Sequence, residues 1–139
     1  MSSKGKTRFA LPAVTAAALA VVLGAAGCNS KPAFCSDVDA LRSSVNDLVS
    51  IQVNSNTINQ VQTDFEKVQT DAQQAVESAR EDFPQETSNL ENQIDSTKKA
   101  IEGLPASPAA GDYVALGLQV VALGQAVDDF RNAASSACN

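Results

Sequence analysis

From Tyr113 to Ala137 the apolar positions step by three and four residues without a break. They are Tyr113, Leu116, Val120, Leu123, Val127, Phe130, Ala134 and Ala137. An α-helix turns once per 3.6 residues, so such steps stay on one face, whereas a strand would need steps of two. A chain with this pattern has to bury a stripe of one helix against other helices.

Two more ladders provide the partners. Val38, Leu41, Val45 and Leu48 lie on one face of a first helix, A, which Ser36 opens with Asp39 three residues on. The polar run Asn54-Ser55-Asn56-Thr57 closes it. The second ladder is Ile58, Val61, Phe65, Val68, Ala72, Ala75 and Ala79, and it resumes as Phe83, Thr87, Leu90, Ile94, Thr97, Ile101 and Leu104. Two steps of four join its halves, like a stutter in a coiled coil, and Pro84 falls at the joint. Ser78 to Asp82 contains no Gly, Asn or Pro with which to reverse the chain. Proline is tolerated in the first turn of a helix. The spacing therefore predicts one long Pro-kinked helix B over Thr57–Glu102. Gly103 to Pro108 is a loop, and the Tyr113–Ala137 ladder is helix C. The expected fold is all-α, an antiparallel, coiled-coil-like bundle of three helices. An up-down four-helix bundle with a reversal at Pro84 is the alternative.

The N-terminus carries a different signal. Lys4, Lys6 and Arg8 precede an apolar run from Phe9 to Leu23, which ends in Gly24-Ala25-Ala26-Gly27-Cys28. This is the layout of an export leader. Gly27-Cys28, with Ala26 before it, resembles the lipobox of exported bacterial lipoproteins, although Ala25 stands where that family usually has Leu. The resemblance implies cleavage before Cys28 and a diacylglyceryl group on its sulfur. Two alternatives stay open. Ala25-Ala26-Gly27 also suits an ordinary secretory peptidase, and the run could remain as an anchor, although it is short and holds Pro12. The expected division is a leader over 1–27, a lipidated tether over 28–35 and a helical domain over 36–139.

The cysteine count bears on the same question. The chain has three, Cys28, Cys35 and Cys138. With Cys28 lipidated, Cys35 and Cys138 are left to form a disulfide in an oxidising compartment. That pairing also constrains the fold. At about 1.5 Å per residue, helices A, B and C run roughly 27, 70 and 42 Å, so A and C laid end to end along B bring the two cysteines together. A four-helix bundle also puts both at one end.

Removing residues 1–27 takes away three of the ten basic residues and none of the sixteen acidic ones, leaving a net charge of −9 on 112 residues. Such a surface repels nucleic acid, so no nucleic-acid partner is expected. The chain has no histidine, which excludes Ser-His-Asp and Cys-His nucleophile arrangements and the common zinc sites. It has no Gly-rich phosphate loop. Glu81-Asp82 and Asp128-Asp129 read as solvated acidic surface and lack EF-hand spacing. No metal, cofactor or catalytic residue is expected, and the chain reads as a non-enzyme. Gly117 and Gly124, seven apart on helix C, suggest close helix approach.

One feature exceeds what a single buried stripe requires. Val114, Leu118 and Val121 form a second apolar stripe on helix C. Exposed on a three-helix rod it would be a partner surface, whereas inside a four-helix bundle it would be core.

The Cys28 lipobox, Cys-Ser-Asp-Val-Asp-Ala-Leu at 35–41, Asp-Phe-Pro-Gln-Glu-Thr at 82–87 and Ser-Ala-Cys at 136–138 together resemble small lipid-anchored or secreted helical proteins of actinobacteria whose function is uncharacterised. The resemblance implies a fold and an extracytoplasmic place, lipid-anchored at the cell membrane or else secreted. It brings no activity. The expected role is a non-enzymatic envelope protein acting by protein–protein contact or as a structural element, with a second copy or an envelope protein as partner. A module holding a small apolar or envelope-derived ligand between its helices is the alternative.

Overall fold

The computed structural model describes residues 31–139, so the leader, its cleavage site and Cys28 lie outside the described residues. Four helices follow in order: α1 Ala33–Val49, α2 Ile58–Ala79, α3 Pro84–Glu102 and α4 Ala110–Cys138. No strand occurs among the described residues. The all-α expectation holds, but the helix count is four. The long middle helix is replaced by α2 and α3, antiparallel across a reversal at Arg80–Phe83.

The reversal needs no glycine because proline enforces it. The residue before a proline is pushed out of the helical region by the pyrrolidine ring. Phe83 adopts φ −132°, ψ 60°, and Pro84 then opens α3 at its first turn. The Asp82 and Phe83 N–H groups donate to the Ala79 carbonyl at 3.1 and 2.8 Å, closing the end of α2. The Phe83 ring packs edge-on against Phe34 at 5.4 Å and Phe130 at 6.3 Å between centroids. An apolar side chain thus pins the turn beneath the ends of α1 and α4. The apparent stutter in the ladder is this turn.

Helix α1 begins three residues before the expected Ser36. Pro32 precedes its first turn, and the Ser36 hydroxyl donates to the Ala33 carbonyl at 2.9 Å rather than capping. Burial of Phe34 and Cys35 draws this segment into the helix. The polar run ending α1 builds the turn into α2. Asn54 N–H donates to Thr57 Oγ1 at 3.0 Å, and Asn56 N–H donates to Asn54 Oδ1 at 2.9 Å. At the start of α4 the Asp112 carboxylate accepts the Ala109 N–H at 2.8 Å.

The helices form a square ring. α1 packs on α2 and α4, α3 packs on α4, and α2 approaches α3 least, while the backbones of diagonal pairs stay apart and only their side chains share the core. All four ladders face inward, and Leu41, Leu48, Val61, Leu90 and Leu123 are fully buried. Thr87 and Thr97 fill ladder positions by donating their hydroxyls to the Phe83 and Gln93 carbonyls, both at 2.9 Å. Ala137, at the end of the last ladder, is exposed.

Polar pairs set the registers along two seams. Between α1 and α2 the Ser44 hydroxyl donates to the Asp71 carboxylate, and one heptad away the Ser78 hydroxyl donates to Asp37 at 2.7 Å. Between α1 and α4, Arg42 pairs with Asp128 at 3.3 Å and Arg131 with Asp39 at 3.9 Å. Each seam thus repeats one chemistry with its donor and acceptor sides exchanged. The ion pairs are exposed and each contributes at most about 1 kcal/mol, yet a slipped register would set like charges against each other.

Cys35 and Cys138 are bonded, with Cα atoms 5.7 Å apart and 103 residues of separation. Closing such a loop restricts the unfolded chain by about 4–5 kcal/mol on chain-entropy reasoning. Replacing both cysteines with serine should lower the melting temperature by roughly 15–30 °C for a domain of this size. Calorimetry in oxidising buffer checks this, and an unchanged value would contradict it. Phe83→Ala removes the pin of the α2–α3 turn. It should cost about 2–4 kcal/mol, somewhat under a fully buried Phe→Ala, read from urea unfolding.

Candidate interaction surface

The helix ends sort into two groups. The α1 start, the α2–α3 turn and the α4 finish share the end that carries the disulfide. The opposite end holds the α1–α2 and α3–α4 loops. The N-terminal half of α4 rises toward that opposite end, and there the second stripe lies.

Its exposure is the principal finding about it. Val114 is 64% exposed, Leu118 66% and Val121 47%, and Val49 at the end of α1 is 40% exposed. The sequence tied exposure of this stripe to a three-helix rod and burial to a four-helix bundle. The protein is a four-helix bundle and the stripe is nonetheless outside. Leu116, Val120, Leu123 and Val127 already fill the inner face of α4, so the core closes without the second stripe. Among the described residues no further helix covers it.

Beside this ridge runs a groove of about 450 Å³. Val49, Ile51 and Val53 line it from the end of α1 and the loop after it, and Val114, Gly117 and Leu118 line it from α4. From Tyr113 to Val127 α4 has no charged residue, and none occurs from Val49 to Asn54. The patch is uncharged in an otherwise acidic protein. By length and composition α4 is also apolar enough to cross a membrane, though its apolar character is divided between an inner stripe and this outer one.

The two helix glycines differ. A Cβ on Gly124 would stand 3.3 Å from Val49 Cγ2, so this glycine does admit close approach of α1 and α4. A Cβ on Gly117 would meet nothing within 4 Å, so here the expected close approach is absent and the groove is open. Glycine in a helix interior costs roughly 1 kcal/mol relative to alanine. Gly117→Ala should therefore raise stability by about 1 kcal/mol. Gly124→Ala should gain less, since Val49 must shift. Paired thermal melts of the two variants check the order.

A second groove, of about 630 Å³, opens where α2 and α3 splay near the loop end. Phe65, Ile101, Leu104 and Tyr113 line it together with Glu66, Lys98 and Glu102. Lys98 pairs with Glu102 at 3.8 Å. Sequence reasoning missed this groove because it comes from the splay of two helices expected to be one.

The acidic pairs Glu81-Asp82 and Asp128-Asp129 are exposed. No group of three or more potential metal ligands occurs among the described residues. No family model matches this chain, and neither a curated protein nor a solved structure matches it.

Proposed function

We propose that this chain is a lipid-anchored, non-enzymatic contact protein of the bacterial cell envelope, of the actinobacterial kind that its sequence resembles. It binds a protein partner through the outer stripe of α4. The observation that carries this reading is a closed core beside an exposed, uncharged ridge of Val114, Leu118 and Val121. Contiguous apolar surface that folding does not use is characteristic of interaction sites.

The leader and the cysteines support this location. The lipobox-like Gly27-Cys28 supplies the anchor, and the Cys35–Cys138 disulfide fits an oxidising, extracytoplasmic space. From Cys28 to Cys35 the chain reaches at most roughly 25 Å. The disulfide end of the bundle is then held near the bilayer, and the α4 ridge stands toward the far end. Net negative charge discourages the body from lying flat on anionic headgroups.

Leu118→Asp tests the contact. The side chain is 66% exposed, so helicity should be unchanged and stability should fall by no more than about 1 kcal/mol, from helix propensity. Crosslinked species in native membranes should disappear. A domain unfolded by Leu118→Asp, or crosslinking that persists unchanged, would contradict the reading. Mass spectrometry of the membrane fraction tests the anchor, with a diacylated N-terminal Cys28 as the expected species.

A second reading rests on the α2–α3 groove. Its volume suits a small apolar ligand with a polar end facing Lys98 or Glu102. Saturable quenching of Tyr113 fluorescence by such a ligand, lost in Ile101→Asp, would favour it.

A further inference from the structure

The ridge of α4 has an internal period. Val114, Leu118, Val121 and Gln125 follow one another at four, three and four residues, which is the a/d spacing of a two-stranded coiled-coil seam. α4 thus carries two heptad stripes, one consumed by its own bundle and one facing outward. We propose that the occupant of the outer stripe is a second copy of this chain, paired in parallel, α4 against α4. This deepens the contact reading above and rests on it.

Three observations favour a second copy over an unrelated protein. First, the patch contains both ridge and recess. An isologous two-fold interface needs one surface to be complementary to itself. The Val114-Leu118-Val121 ridge stands beside the groove that Gly117, Val49, Ile51 and Val53 line. Rotation about an axis parallel to α4 places the ridge of each copy in the groove of the other. Second, Gly117 has no role within its own chain that a larger residue would disturb, because a Cβ there meets open space. Its cost to the helix is offset when a partner's Leu118 approaches the backbone at that position. Third, two acidic bodies repel each other except where they are uncharged, and Tyr113–Val127 with Val49–Asn54 is an uncharged face. Below it lies Asp128, which would face its own copy in parallel pairing, but Arg42 stands 3.3 Å from it and offsets the repulsion.

The anchor selects the direction. Two copies tethered to one bilayer both have their disulfide ends at the membrane. Only a two-fold axis along the membrane normal meets that condition, and it aligns the α4 helices in parallel. Each ridge residue then lies level with its own counterpart, and Gln125 supplies a polar layer that fixes register. Three ridge side chains and one groove make a small contact, so pairing depends on the local concentration that a shared membrane provides.

The test uses the full chain, exported and anchored in membranes, with Val114→Cys, Leu118→Cys or Val121→Cys introduced singly. A short-span bis-maleimide is applied to the native membranes. Cys35 and Cys138 are bonded and the Cys28 sulfur carries the proposed lipid, so only the new thiol should react, and the chain without an added cysteine is the control. All three variants should give a product of twice the chain's mass. Thr63→Cys, on the exposed face of α2, should give none. Adding Gly117→Leu to Leu118→Cys should reduce the product at least tenfold while the melting temperature is kept or raised. If Leu118→Cys alone links to itself, or Gly117→Leu leaves the product unchanged, parallel pairing is wrong. Linkage only to a different protein overturns the second copy while leaving the contact reading intact. No product from any variant, together with a Leu118 thiol shielded from water only by lipid, overturns both.

Discussion

The fold turns on the steric clash between Pro84 and the residue before it. Phe83 cannot stay helical ahead of that ring, and its φ of −132° marks where the chain leaves α2. A ladder that could have run as one long helix is divided into two of 22 and 19 residues, close to the 17 of α1 and shorter than the 29 of α4. Four helices can close a ring where three unequal ones make a rod. The ring brings Phe34, Phe83 and Phe130 together at one end and sets Cys138 beside Cys35. It also leaves α4 with only one face to bury.

Much of this is legible in the sequence, and the limits have physical reasons. Nearly every ladder residue is buried or packed against the core, because helical period translates directly into facing. The pairing of Cys35 with Cys138 follows from an odd cysteine count and helix parity. The reversal at Pro84 is only the alternative on sequence grounds, because no glycine or asparagine marks a turn there. Here a pre-proline phenylalanine makes the turn and an aromatic cluster holds it, and Phe34 carried no periodic signal to announce that cluster. Polar core positions were legible only in part. Thr87 and Thr97 fell on the ladder, but Ser44, 1% exposed, did not. Its place depends on Asp71 across the seam, which no local pattern encodes.

The candidate surface shows the same division. Periodicity marked Val114, Leu118 and Val121 as an extra stripe, but it could not decide their exposure, because that depends on how many helices surround α4. Gly117 and Gly124 look alike in sequence and differ only through α1, which reaches one and not the other. The α2–α3 groove arises from an imbalance of packing around the ring, with α1 and α4 drawing their neighbours closer than α2 and α3 draw each other.

The Cys35–Cys138 bond has a mechanical consequence. In a chain tethered through its N-terminus, as proposed above, a pull enters the bundle at the start of α1, Ala33. Without the crosslink, that load would peel α1 from the bundle one turn at a time, starting at its end. With it, tension arriving at Cys35 passes at once to Cys138 and so to the end of α4. The two helices are loaded side by side, along their length, against the whole of their shared seam. The bond converts an unzipping geometry into a shearing one, because α1 and α4 then share the load across their seam.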